Sequence, residues 1–494
     1  MGNKSNERKI LYICPIIIGI VFGISLIPVL MLCKYDFATG DDLGYGTLTH
    51  ISWISEHSLK GIWDAVCTTV KDSYYAWQGT WFTLGVMALQ PEVFSSEAYW
   101  ITPWIMLMIT IISTSLLFKF GISKYLKLPS WAWISVDLIV LFLMIQFFPS
   151  TASGIYWFNG GAHYIIPYGL AMITICCFVK YREKKKWQYV FGAGIMMAAL
   201  GGSSYFSALL VLVVLGMLLI FDLVFKKEKP IWIMLIPAAF ELAGLAISFL
   251  SPGNSNRGGE EFGLSIGKIV ETVLESFKEA LFDLYRFPVE YPFVALGFAT
   301  IGIVVLTAFK LRGGKTGFKL PGLLLVCCIC INAVMYMPKL YAGVGVSGGV
   351  PNTIFQVYLL TMSVFEIYFL GWINDKTEKL SSKQMVILCG TASVLIVFAC
   401  LAFKSGIKES TMYMSYEYLS SGQAEDYKAQ MEYNKAILLD DNIKECYLCP
   451  INDDQGPLMY MPVTEEPDNF TNASTRGFYQ KELVVVDSNL VVHK

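Results

Sequence analysis

The sequence predicts an all-α polytopic membrane protein with about 11 transmembrane helices. Of its 494 residues, 55% are hydrophobic and only 15% are charged, and the mean hydropathy is +0.53. That composition excludes an ordinary soluble protein. A helix needs about 20 mainly apolar residues to cross a bilayer. Stretches of roughly that length lie at 10–33, 99–118, 131–149, 164–180, 188–203, 205–225, 231–250, 291–309, 320–337, 353–373 and 384–403.

The first of these stretches is interpreted as a retained membrane anchor. Lys4, Arg8 and Lys9 precede it, as basic residues precede a signal peptide, but the apolar run 10–33 is too long for a signal-peptide core. It also lacks a small-residue cleavage site.

The basic residues predict the orientation. With the N-terminus placed inside, more than half of the 37 Lys and Arg residues fall in six short segments on the inner side, as the positive-inside rule requires. The first loop (34–98), the loops near 150–163, 251–290 and 338–352, and the tail are then extracytoplasmic. A net charge of −2 gives no indication of nucleic acid binding, so membrane lipid is the first expected partner.

Two domains are expected. Residues 1–403 form the transmembrane domain, and 404–494 form a small extracytoplasmic α+β domain with a helical pattern followed by β-prone pieces such as Leu483–Val486. Cys446 and Cys449 in the tail have no second cysteine pair and no nearby His, which argues against zinc. Either a short-range disulfide or two free thiols fit the spacing.

Two extracytoplasmic segments have an amphipathic helical pattern. They are 51–78, in the first loop, and 262–287. Such helices are typical of the membrane surface.

Adjacent carboxylates follow the first span closely. Asp41 and Asp42 are followed by Leu, Gly and Tyr45. A carboxylate near the membrane edge can have its pKa adjusted by burial and accept a proton from a hydroxyl group, and a pair can also hold a divalent cation such as Mg or Mn. The alternative is a polar turn, because Asp is favoured beside Gly for conformational reasons.

An aromatic motif at the start of the fourth span suggests sugar binding. Tyr156, Trp157, Asn159 and His163 lie within nine residues. Rings stack on pyranose faces, while hydroxyl groups need polar partners. An interfacial aromatic belt with one satisfied histidine fits the same residues.

The loop after the seventh span combines Gly and Arg. Asn254, Arg257 and Glu260 lie in a Gly-rich segment, and Arg offers a bidentate contact to phosphate. A simple turn after the span is the alternative. Lys339 is a further candidate cation at the outer face, but ordinary snorkelling at the interface is the favoured explanation for it.

In their order along the chain, these motifs resemble the GT-C class of integral-membrane glycosyltransferases. More narrowly, the chain is similar to an uncharacterised bacterial glucosyltransferase-like membrane family akin to the O-antigen glucosyltransferases. The similarity rests on Gly40–Tyr45, Trp77–Trp81, Tyr156–Tyr164, Ser251–Asn254 with Arg257, and the tail pattern from Tyr418 to Tyr427. Where Trp-x-Gly-Arg is expected in the first loop, this chain has Trp77-Gln78-Gly79-Thr80.

The resemblance implies a location, a donor and roles for residues. It implies transfer of a sugar from a polyprenyl-phosphate donor to a cell-envelope glycan or lipid acceptor, on the extracytoplasmic face of a bacterial cytoplasmic membrane. Asp41 or Asp42 takes the role of base or metal ligand, and Arg257 that of lipid-phosphate contact. Two other functions stay open: a transporter or lipid-linked glycan flippase, and a non-catalytic envelope assembly protein.

Overall fold

The computed structural model describes residues 11–225, 231–258, 265–343, 347–377, 384, 390–391, 394 and 398–492. Over these residues it is an all-α polytopic membrane protein with little sheet. Eight helical segments in the described chain are long and apolar enough to cross a membrane: Ile13–Tyr35, Ile101–Ile122, Phe158–Lys184, Tyr205–Phe225, Trp232–Phe249, Pro292–Arg312, Pro321–Ala342 and Gly349–Lys376.

Three of the eleven predicted spans have no counterpart among these eight. The stretch 131–149 is a shorter apolar helix, Ser130–Gln146, and 188–203 is the 15-residue helix Trp187–Gly201. The stretch 384–403 lies largely outside the described residues. The count of eleven therefore stays a prediction.

Further helices lie between the spans or continue them. The first loop contains Asp41–Glu56, Leu59–Ala76 and Trp81–Met87, and later connections contain Pro252–Gly258, Ile266–Glu290 and Met337–Ala342. Before Ile166–Lys184 the chain forms three short helical pieces with irregular hydrogen bonding: Ala152–Tyr156, Phe158–Gly160 and Gly161–Ile165.

The sequence explains how the first-loop helices are separated. The first ends at His57, which has left-handed backbone geometry, and the second begins at Ser58, whose side chain accepts a hydrogen bond from the Gly61 amide at 2.9 Å. A serine cap of this kind satisfies one of the free N–H groups at a helix start.

Two helices of the bundle approach each other closely. Trp187–Gly201 and Leu235–Phe249 cross where Gly201 faces Gly244, and a Cβ on Gly201 would lie 2.6 Å from the Glu241 carbonyl oxygen. Only residues without a side chain allow the two backbones this contact.

The tail contains helices and a small sheet. Its helices are Thr411–Ser420, Gln423–Leu439 and Phe470–Phe478. Two parallel strands, Glu445–Leu448 and Leu483–Val486, pair with Glu445 opposite Leu483. Cys446 and Cys449 are both buried free thiols.

The tail shares a hydrophobic core with the first loop. Tyr418, Tyr427 and Phe478 of the tail belong to the same cluster as Leu32 and Leu43. The Phe478 ring stacks on His50 with 4.1 Å between ring centroids. The tail is therefore packed against the first loop.

Candidate functional site

The site begins at a turn that the tail holds in place. Gly40 has a φ of 57°, and a Cβ there would lie 2.3 Å from the sulfur of Met461. Glycine satisfies both demands, because it adopts positive φ and leaves room for the neighbour. Asp41 and Asp42 follow as the first residues of the helix, where the free N–H groups favour negative charge.

Asp42 is buried, and its carboxylate is hydrogen-bonded to two other segments of the chain. It is 1% exposed, its Oδ2 accepts a hydrogen bond from the Tyr99 hydroxyl, and its Oδ1 accepts one from the Asn159 amide at 3.0 Å. The Tyr99 oxygen in turn accepts from the Phe158 amide at 3.1 Å. Burial and the neighbouring charge of Asp41 raise the pKa of Asp42 well above its ordinary value. Asp42 thus fixes residues 158–159 to the start of the helix.

Asp41 is different, because it is only half-buried. Its Oδ1 accepts a hydrogen bond from the Trp157 indole at 3.1 Å. Burial raises the pKa of Asp41 to about 6, while the donors Trp157 and Asn159 act in the opposite direction. A carboxyl group with a pKa near neutrality is suited to accepting and releasing a proton.

The aromatic motif divides into two parts. Trp157 and Asn159 lie against the carboxylates, and His163 is half-buried, with its Nδ1 3.0 Å from the Thr83 hydroxyl. Tyr156 is fully buried, and its hydroxyl donates to the Val29 carbonyl of the first span at 3.0 Å. Tyr156 therefore joins the motif to the bundle.

Asn254 and Arg257 lie on Pro252–Gly258, which packs against the first loop. Asn254 accepts from the Gly79 amide at 3.2 Å and donates to the Ser248 carbonyl at 2.7 Å. It is thus a structural bridge between the first loop and the seventh predicted span.

Arg257 brings a cation to the Trp77–Thr80 segment. Its Nη1 donates to Gln78 Oε1 at 3.2 Å, and its guanidinium carbon lies 5.1 Å from the Trp77 ring centroid. The side chain is exposed, and its positive charge acts electrostatically on His163.

Tyr45 links the acidic and basic sides of the site. Burial and the Asp41 carboxylate raise the pKa of Tyr45 to about 12, while the charge of Arg257 acts to lower it. Both charges therefore act on the Tyr45 phenol group. The spacing of four residues from Asp41 places Tyr45 on the same helix face, so sequence reasoning could have included it.

Other contributors gave no sequence signal. Tyr99 and Thr83 are separated from their partners Asp42 and His163 by 57 and 80 residues. Neither lies in a motif that indicates a polar contact.

No known family matches this chain, and no curated protein or solved structure is similar to it.

Two predicted residues are not placed at this site by the structure. Lys339 is exposed on the short helix Met337–Ala342. Glu260 lies outside the described residues.

The donors do not form a dedicated metal cage. Within the described part of the chain, no three His, Cys, Asp or Glu side chains are grouped so as to hold a metal ion. Both Asp42 oxygens already accept hydrogen bonds. The expectation of a Mg or Mn ion at Asp41 and Asp42 stays a prediction.

Proposed function

We propose that the protein is a membrane glycosyltransferase of the bacterial cytoplasmic membrane. It would move a sugar from a polyprenyl-phosphate donor to a cell-envelope acceptor on the extracytoplasmic face. The proposal includes eleven spans, an inner N-terminus and an outer tail from 404 to 494. Its main support is Asp41, a half-buried carboxyl group that accepts a hydrogen bond from the Trp157 indole and whose pKa burial raises to about 6.

In the proposed reaction Asp41 and Arg257 have different roles. The acceptor hydroxyl oxygen forms a bond to the anomeric carbon while the bond from that carbon to the phosphate oxygen breaks. Asp41 takes the hydroxyl proton, and polyprenyl phosphate leaves with the electron pair of the broken bond. Arg257 stabilises the phosphate through the guanidinium N–H groups that Gln78 leaves available.

Asp42 is a positioning residue in this scheme. It accepts hydrogen bonds from Tyr99 and Asn159, and both of its oxygens are used. Asn159 lies two residues after Trp157 in the chain. The hydrogen bond from the Asn159 amide to Asp42 therefore also helps to position the Trp157 indole, which donates to Asp41. Of the two candidate bases that the sequence suggests, Asp41 is therefore the base in this proposal.

The sugar would lie beside Trp157, Asn159 and His163. Trp157 offers a ring and Asn159 an amide group next to the two carboxylates, and His163 offers a ring nitrogen beside the Thr83 hydroxyl. Tyr156 has a structural role in this proposal, because its hydroxyl already donates a hydrogen bond to the Val29 carbonyl.

The test is donor turnover by the full-length protein in proteoliposomes. A panel of polyprenyl-phosphate hexoses is supplied with envelope fragments from cells that lack the protein, and release of polyprenyl phosphate is measured. Asp41→Asn should lower the rate by a factor of about 10² or more, since general base catalysis contributes 10²–10⁴. Asp64→Asn is the matched control, because Asp64 is an exposed carboxylate in the same loop. Full turnover by folded Asp41→Asn, or no turnover of any donor by the native protein, would overturn the proposal.

A further inference from the structure

The helix Ile266–Glu290 has three distinct faces. It has 25 residues, and eight of them are charged: Lys268, Glu271, Glu275, Lys278, Glu279, Asp283, Arg286 and Glu290. One face packs on the bundle, one exposes apolar side chains, and one exposes charges.

The face toward the bundle is anchored by polar contacts. Asp283 is fully buried, and its Oδ2 accepts a hydrogen bond from the Tyr336 hydroxyl at 2.7 Å. Arg286 donates to the same hydroxyl oxygen at 2.6 Å. Phe287 lies 4.8 Å from the Tyr358 ring, measured between centroids. These contacts fix the rotation of the helix about its axis.

The second face consists of large apolar side chains with no protein cover. Ile266 is 83% exposed, Leu274 67% and Tyr285 66%. Ile269, Val270, Leu281, Phe282 and Val289 are also exposed. A patch of this size on one helix marks contact with another apolar phase or surface.

The third face carries the solvent-exposed charges. Glu275 and Lys278 form an exposed ion pair at 2.8 Å, one helical turn apart. Segregated apolar and charged faces on one helix are typical of a helix in the membrane–water interface.

The orientation of the two flanking spans argues against Ile266–Glu290 crossing the membrane between them. Lys226, Lys227 and Lys229 precede the span Trp232–Phe249, and Lys310 and Arg312 end the span Pro292–Arg312. By the positive-inside rule both basic clusters lie on one side, so residues 250–291 begin and end on the other. A helix that crossed the bilayer between them would break this arrangement.

We propose that Ile266–Glu290 lies in the plane of the membrane, on the side opposite the basic loops. Its apolar face contacts lipid acyl chains, its charged face contacts water and headgroups, and the face toward the bundle is fastened there by the hydrogen bond between Tyr336 and Asp283. The partner is the bilayer itself, because the helix packs on the membrane-crossing segments Pro292–Arg312 and Pro321–Ala342 and exposes its apolar face beside them.

Spin labels at single cysteines test both the orientation and the depth. The full-length protein with Cys67→Ser, which removes the one cysteine that is exposed in the described part of the chain, is reconstituted in phosphatidylcholine vesicles. Leu274→Cys and Leu281→Cys report the apolar face, and Glu275→Cys on the charged face is the matched control. The labels on the apolar face should favour collisions with oxygen over a water-soluble nickel chelate, and the label at 275 should show the reverse. Labelling of the parent protein gives the background.

Depth distinguishes an in-plane helix from a crossing one. Labels at Ile266→Cys and Tyr285→Cys should lie at similar depth, whereas a crossing helix separates them by about 28 Å at 1.5 Å per residue. A depth difference of that size overturns the proposal. Equal access of nickel to positions 274 and 275 overturns it as well, and so does strong spin–spin coupling between copies at 274, which would assign the face to a second chain.

Discussion

At the level of single residues, the pKa of Asp41 predicts that activity falls at acidic pH. With a pKa of about 6, the carboxyl group is ionised above that pH and protonated below it. A protonated group cannot accept the acceptor's proton, so the turnover should fall about tenfold for each pH unit below 6. The measurement is polyprenyl phosphate release from pH 4.5 to 8. A rate that stays constant down to pH 4.5 would remove Asp41 as the base.

Asp36 predicts an effect of pH on stability. It is 4% exposed, and burial together with the charge of Asp42 raises the pKa of Asp36 well above its ordinary value. The native state therefore holds this proton more tightly than the unfolded chain does. This contribution to stability is complete below the unfolded pKa and is lost as the pH rises through the folded pKa.

Asp36→Asn should remove that loss. The variant is expected to gain stability relative to the native protein as the pH rises from 4 to 8. At pH 8 the unfolding temperature should rise by a few degrees, corresponding to roughly 1 kcal/mol. Thermal unfolding in detergent at the two pH values measures it. A variant with the same relative stability at both values contradicts the assignment.

At the level of elements, a buried ion pair fastens the tail to the first loop. Lys435 in Gln423–Leu439 lies 2.7 Å from Glu92, which is 2% exposed and also accepts a hydrogen bond from Tyr479 at 2.9 Å. Lys435→Met would leave a buried charge without its cation, at a cost of about 3–5 kcal/mol.

A surface pair on the same helix is the control. Lys428 pairs with Glu432 at 3.5 Å, with the two side chains 32% and 59% exposed, and Lys428→Met should cost less than about 1 kcal/mol. Thermal unfolding and protease resistance of the tail report both variants. Equal effects of the two substitutions would show that the Glu92 contact does not hold the tail.

The crossing of two bundle helices makes a second prediction at this scale. Gly201→Ala would place a Cβ 2.6 Å from the Glu241 carbonyl and should cost about 1–3 kcal/mol by forcing the helices apart. Gly194, on the same helix, has no heavy atom within 4 Å of the corresponding Cβ position. Gly194→Ala should be neutral or slightly stabilising, because Ala favours the helix. Unfolding in detergent compares the pair, and a tolerated Gly201→Ala would contradict the close crossing.

At the level of the whole molecule, the tail and the first loop form one packed unit. Met461 covers Gly40, the Thr39 hydroxyl accepts a hydrogen bond from the Met461 amide at 3.2 Å, and Phe478 stacks on His50. Deleting residues 404–494 should therefore expose the loop helices and make 34–98 sensitive to protease, even if the spans still insert. A truncated protein whose first loop resists protease as the full chain does would show that the tail is independent.

The sequence by itself determined the membrane class and the location of most apolar helices. Long apolar runs leave a helix as the only way to satisfy backbone polar groups in lipid, so composition alone predicts spans such as Tyr205–Phe225. It also indicated Asp41, Trp157 and Arg257 as candidate functional residues.

The tertiary structure decided which of the candidate residues are buried and hydrogen-bonded and which stay partly exposed. Asp41 and Asp42 are adjacent and chemically identical, and only the approach of Tyr99 and Asn159 makes one a buried connector while the other stays half-exposed. The contacts of Tyr479 with Glu92 and of Met461 with Gly40 join positions 387 and 421 residues apart. Local patterns carry no information about such pairs, because burial and hydrogen bonding depend on which distant side chains the fold brings together.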